Sequence, residues 1–248
     1  MKRILVVAML AAALGCVSTS DVGRNGAVQV SFATSAAPGT ALTHVTLGAN
    51  QNDTVVIGTD TIVFTEVKLV LREIEMKRVN TPACTGGDEC EKFETGPVLV
   101  TLPLTPGAQQ QFVLTDVPAA SYNEIEFEIH EPDDDDPNDQ AFIAANPDFE
   151  NISIRVRGTY NGIAFEFRTD LDVEQELALS PPLVVADGTS TNVTIFVDVS
   201  TWFVVGGVLV DPSDPGVADQ IEDNIENSIE AFEDPDGSGS DDDDDDDD

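Results

Sequence analysis

Residues 124–130 read EIEFEIH. Glu124, Glu126, Glu128 and His130 alternate with Ile125, Phe127 and Ile129, so a strand here has one apolar face and one wet face. The same period of two recurs along the chain. Val28, Val30 and Phe32 alternate with Gln29 and Ser31. Val98, Val100, Leu102 and Leu104 follow the rule, with Pro103 marking an edge strand. Ile152, Ile154 and Val156 oppose Ser153, Arg155 and Arg157. Ile163, Phe165, Phe167, Leu171 and Val173 oppose Glu166, Arg168, Asp170 and Asp172, and Val193, Ile195, Val197 and Val199 oppose Thr194 and Asp198.

The stretch 61–78 changes phase, because Val67, Leu69 and Leu71 share a parity that Ile74 and Met76 do not. A bulge near Arg72-Glu73 repairs that register. Asn161-Gly162, Asp187-Gly188 and Pro106-Gly107 are turn signals between the runs. No helical period appears before about residue 214. Apolar-in, polar-out strands of this kind predict an all-β domain, an antiparallel β-sandwich over residues 27–211. On its wet faces Arg155, Arg157 and Arg168 sit among glutamates and predict cross-strand charge pairs.

The C-terminal part differs. Asp214 and Pro215 suit an N-cap and a first turn. Val217, Ile221, Ile225, Ile229 and Phe232 then form a stripe at helical spacing, so a short amphipathic helix is predicted within residues 212–233, docked on the sandwich. Residues 234–248 close on eight consecutive aspartates, Asp241–Asp248, and predict a disordered acidic tail.

The chain has 47 acidic and 11 basic residues and a formal net charge of −36. A charge of that sign excludes nucleic acid as a partner and draws cations. Two segments offer calcium a set of oxygens: Asp133, Asp134, Asp135, Asp136 and Asp139 in the loop after His130, and Asp234, Asp236 and Asp241 in the tail. The first set competes with a plain solvated loop held extended by Pro132 and Pro137. The second lacks the later glutamate of an EF-hand loop. No other cofactor is expected.

Catalytic templates fail. His44 and His130 lie in neither an H-E-x-x-H nor a nucleophile-elbow context, and there is no P-loop. A carboxylate pair for glycoside hydrolysis has nothing to single it out from the other acids. The chain is therefore read as non-enzymatic.

At the amino terminus, Lys2 and Arg3 precede an apolar run from Ile4 to Ala13, too short to span a bilayer. The following Ala13-Leu14-Gly15-Cys16 resembles a bacterial lipobox. The resemblance implies a signal peptide over 1–15 and lipid on Cys16, followed by a linker over 16–26. An ordinary signal peptide cut nearby is the alternative. Val17 after the cysteine implies the outer membrane. Export makes Cys84 and Cys90, which flank Gly86-Gly87, a disulfide pair; zinc is the rival and lacks ligands.

Two further stretches carry a family resemblance. "LTDVPAASYNEIEFEI", residues 114–129, is similar to the Pro-Ala-Gly-x-Tyr-then-strand signature of bacterial lipoproteins with a sandwich domain of unknown function, with Ala120 where glycine is usual. "VDVSTWFVVGGVLVDP" through "IEDNIENSIEAFEDPDG" resembles the tails of uncharacterised lipoproteins that end in acidic runs. This implies an immunoglobulin-like or prealbumin-like sandwich and no established activity. The expected function is that of a cell-envelope lipoprotein acting as an interaction or structural module. Its partner is expected to be an envelope protein or polysaccharide. The alternative is a calcium-dependent carbohydrate- or surface-binding sandwich, with an envelope hydrolase a distant third.

Overall fold

The structure is a computed structural model and describes residues 25–34, 46–47, 54–79, 92–105, 108–186 and 190–233. Residues 1–15, Cys16, Cys84, Cys90, Asp234, Asp236, Asp241 and the turns at 106–107 and 187–188 lie outside the described residues. No helix among the described residues is long and apolar enough to cross a membrane.

Two sheets share one hydrophobic core, an arrangement consistent with a β-sandwich. The smaller is formed by β1 (Asn25–Ala33), β7 (Gln109–Pro118), β12 (Ser190–Val197) and β15 (Ile229–Glu233), in the order β15-β12-β1-β7. The larger contains β2 (Thr46–Leu47), β3 (Thr54–Ile57), β4 (Asp60–Arg78), β5 (Lys92–Thr95), β6 (Val98–Thr101), β8 (Ala120–Ile129), β9 (Ile154–Tyr160), β10 (Ile163–Thr169) and β11 (Val173–Val185). A short hairpin of β13 (Val204–Val205) and β14 (Val208–Leu209) stands apart. From one sheet Val28, Val30, Phe32 and Ile195 are buried, and from the other Ile62, Leu69, Phe127 and Val156, all in one cluster.

The 19-residue β4 is the spine of the larger sheet. Its first half pairs with β9 from Ile62 to Leu69, and its second half with β8 from Leu71 to Arg78. The change of partner coincides with a register shift between Leu71 and Glu73, where the change of phase predicts a bulge. The Asn161-Gly162 turn joins β9 to β10, with both residues at positive φ as a tight hairpin requires.

Four expectations need correction. First, β1 and β12 pair in parallel, so the smaller sheet is mixed rather than purely antiparallel. Second, a helix precedes residue 214: α1 (Pro137–Ala145) follows the aspartate run, because Pro137 at its start is compatible with a first helical turn rather than only with an extended loop. Phe142 of α1 and Phe149 of the next turn bury against Val70 on the outward side of the large sheet, where β8 and β9 part. Third, the C-terminal stripe is split. Asp214 caps a 3₁₀ turn at Pro215–Val217, accepting from the Gly216 N–H at 2.8 Å, and α2 (Ala218–Glu226) buries Ile221 and Ile225. The helix stops at Asn227, and residues 229–233 become β15, because the edge of β12 offers backbone partners along that length. Fourth, the run ending at Leu104 leaves the sheet after Thr101, and the Pro103 carbonyl instead accepts from the Thr34 hydroxyl.

Candidate functional site

Because β5, β4, β8 and β11 lie side by side, their outward residues form cross-strand rows. Cα pairing sets Glu94 opposite Glu75, Glu75 opposite Glu126, and Glu126 opposite Glu176. The next row sets Glu73 opposite Glu128 and Glu128 opposite Glu174. On the other side Lys77 faces Glu124. The inward partners Ile74, Met76, Ile125, Phe127 and Val173 are buried, so the alternation that makes the core forces every one of these glutamates onto the same wet face. Like charges directly opposite destabilise a sheet.

Lys77 offsets part of that repulsion. Its Nζ lies 2.5 Å from Glu124, 2.7 Å from Glu126 and 3.7 Å from Glu176. Hydrogen bonds to Glu124 and then Glu126 hold its proton well above the ordinary lysine range. The ammonium thus stands among three carboxylates whose oxygens also lie close enough together to hold a metal. Among the described residues no lysine or arginine forms an ion pair with Glu174. The nearby Glu126 charge, then desolvation and Glu176, push its carboxyl above the usual range. Glu73, Glu75 and Glu94 form a second group with oxygens within 4.8 Å of one another.

This face ends at Arg72, in the bulge. Arg72 Nε donates to Asp139 Oδ2 at 3.0 Å, and the same oxygen accepts the Asp133 N–H at 2.8 Å. Arg72 lines two shallow clefts, one of about 330 Å³ walled by Glu73, Glu94 and Asp136, the other of about 260 Å³ beside His130, Asp133 and Glu150. Gly96 closes the first cleft: a Cβ there would meet the Arg72 carbonyl oxygen at 1.7 Å, so only glycine lets the two backbones approach.

The structure divides the calcium set expected in this loop. Asp133, Asp134 and Asp135 are exposed, with oxygens within 4.8 Å of one another. Asp133 Oδ1 accepts the Asp135 N–H at 2.8 Å. Asp136 is half-buried. Asp139 is buried and turned away into Arg72, so it acts as a clamp between the loop, α1 and β4 rather than as a fifth ligand of that group. His130 lies at the strand end near Glu128 and Asp172, with Nδ1 2.6 Å from the Glu131 carbonyl oxygen.

The other half of the sheet is neutralised. Glu166 holds Arg157 at 2.5 Å and Arg168 at 2.6 Å, and Glu66 takes Arg155 at 2.9 Å and Lys68 at 3.1 Å. Hydrogen bonds from Arg168 and then Arg157 hold the Glu166 carboxyl below the usual range. For Glu66, desolvation opposes the shift, yet bonds from Lys68 and Arg155 lower it. Arg155 is buried, with its guanidinium 4.7 Å above the Phe149 ring, which alternation alone does not reveal. The signal was local: Phe149 follows Asn146-Pro147-Asp148, a turn start that places an aromatic beside the strand.

No family model, curated protein or solved structure matches this chain.

Proposed function

We propose that this protein is an exported lipoprotein of the cell envelope, anchored through Cys16 in the outer membrane, and that it works as a non-enzymatic interaction module. Its domain is read as an immunoglobulin-like or prealbumin-like sandwich. The partner surface is the glutamate face of β5, β4, β8 and β11, and the partner is a cationic segment of an envelope protein. One observation supports this above all: carboxylates stand in register across four strands, Glu94, Glu75, Glu126 and Glu176, at a cost in stability that a cationic partner offsets.

A second reading, a calcium-dependent carbohydrate- or surface-binding sandwich, is favoured by the triads Glu73/Glu75/Glu94 and Asp133/Asp134/Asp135. Capture from envelope extracts separates the two. Binding lost in Glu75→Lys/Glu126→Lys but kept in chelator supports the protein-partner reading. Binding lost in chelator supports the second. Binding indifferent to both removes the glutamate face from the function.

A further inference from the structure

Exposed sheet edges invite pairing with another chain, and charge, proline and shortness are the devices that prevent it. Among the described residues the edges use all three. β15 carries Glu230 and Glu233, β11 carries Glu174, Glu176 and the Pro181-Pro182 pair, and β10 carries Glu166 and Arg168. β2, β5 and β6 are four residues long or shorter. β7 differs. Among the described strands it pairs with β1 alone. Its residues 109–115 hold no charged group and no proline, in a chain of formal net charge −36. The edge is open, because Gln110, Gln111 and Thr115 are exposed and Val113 is 52% exposed. The register shift and the positive φ of Asp116 come only after Leu114, so the six residues before them form a regular edge.

We propose that β7 is a self-association edge: two copies of the chain pair β7 with β7, antiparallel across a two-fold axis, and join their smaller sheets into one. Like faces meet only when paired residue numbers share a parity. Centring the pair on Phe112 sets Phe112 opposite its counterpart, Gln111 opposite Val113 and Gln110 opposite Leu114. Phe112 is already held in place by stacking on Phe32, with ring centroids 6.1 Å apart, so it meets the other copy as a fixed aromatic pair. Charge selects a second copy as the occupant. A basic partner finds no carboxylate along residues 109–115 and is drawn to the glutamate face instead, while the net charge of the chain repels an acidic one. Two copies of so acidic a chain meet with least repulsion through an uncharged strand. In this register the two Asp116 residues lie eight positions apart along the seam, about 27 Å, which exceeds two Debye lengths. A two-fold contact uses the same edge on both copies, so pairing closes at the dimer. The inference stands apart from the readings of Cys16 and of the glutamate face.

Sedimentation equilibrium of the full chain tests this, in excess density-matched neutral detergent so that a bound lipid does not alter the result. A reversible monomer–dimer equilibrium is expected. It tightens as salt rises from about 0.05 M to about 0.5 M, because salt screens the repulsion between acidic copies. Val113→Lys places a charge on the edge at a side chain more than half exposed, and is expected to weaken the dimer at least about tenfold while the thermal melt stays the same. A chain that remains monomeric at every concentration and salt overturns the proposal, and so does a dimer that Val113→Lys leaves intact. A lower melt in the variant passes the decision to hydrogen exchange on the unaltered chain. There the amides of residues 110–114 are expected to gain protection as protein concentration rises, and protection independent of concentration overturns the edge pairing.

Discussion

The Tyr122 hydroxyl donates to the Pro118 carbonyl at 2.8 Å, across the corner where the chain leaves the smaller sheet for the larger. Tyr122 is fully buried, and its ring lies under the Arg78 guanidinium, 5.9 Å from the ring centroid. The bond ties the last residue of β7 to the third of β8, so it sets the angle at which one sheet hands the chain to the other. Removing the hydroxyl alone keeps the ring packing. Tyr122→Phe is expected to lower the unfolding free energy by about 1 kcal/mol in urea titration. An unchanged midpoint removes the corner from the list of stabilising contacts.

Asp139 accepts from both Arg72 and the Asp133 backbone while almost wholly buried. Asp139→Ala leaves a guanidinium and an N–H without that partner, and costs about 2–3 kcal/mol, the scale for bonds to charged groups. Hydrogen exchange should rise first in α1 and the 131–136 loop. Uniform loss of protection across the sheet refutes a local clamp.

Lys77 pairs with Glu124 and Glu126 in the glutamate rows, and its side chain is 38% exposed, so solvent screens it. Lys77→Met is expected to cost between a few tenths and about 1 kcal/mol, a loss that shrinks in high salt. A loss that salt does not change assigns the effect to packing of the lysine stem instead.

The carboxylate shifts predict a stability maximum below neutrality. Glu174 is raised in the folded state, so folding binds protons there, and stability rises as pH falls toward the ordinary carboxylate pKa of about 4.3. Glu66 and Glu166 are lowered, so their contribution is present above that value and is lost as pH falls through their folded pKa values. Thermal melts should therefore climb from pH 7 toward 5 and drop below 4. In Glu174→Gln the climb is expected to be smaller, and an unaltered climb assigns it to other acids.

Cys16→Ser is expected to release the protein from membranes, measured by sedimentation in high salt. A variant that still pellets with the membrane fraction defeats the anchor.

Much of the architecture is legible in the alternation itself. Ile125, Phe127, Ile154, Val156, Phe165 and Phe167 are buried where a period of two puts them, and the phase change at Arg72-Glu73 marks the bulge. What alternation lacks is neighbourhood. Glu126 and Glu128 are visibly on a wet face, but their stacking against Glu73, Glu75, Glu174 and Glu176 depends on β4 and β11 flanking β8, a long-range choice. The α1 helix is hidden because an aspartate run closed by proline reads equally as a solvated loop. The break between α2 and β15 is hidden because Ile225 and Ile229 fit a helical stripe, and only the waiting edge of β12 decides otherwise.

The parallel pairing of β1 with β12 sets a schedule. Val30 lies beside Val193, so the first strand of the domain spends most of the chain's emergence with one flank unfilled. Its antiparallel neighbour β7 arrives midway, yet the seam beside it closes only when the last quarter of the sequence is present. For a chain delivered end-first, whether from a ribosome or through a narrow pore, the domain completes late and all at once. Contacts so distant along the chain fold slowly, and a molecule interrupted before residue 190 is left holding an unzipped strand rather than a smaller version of itself.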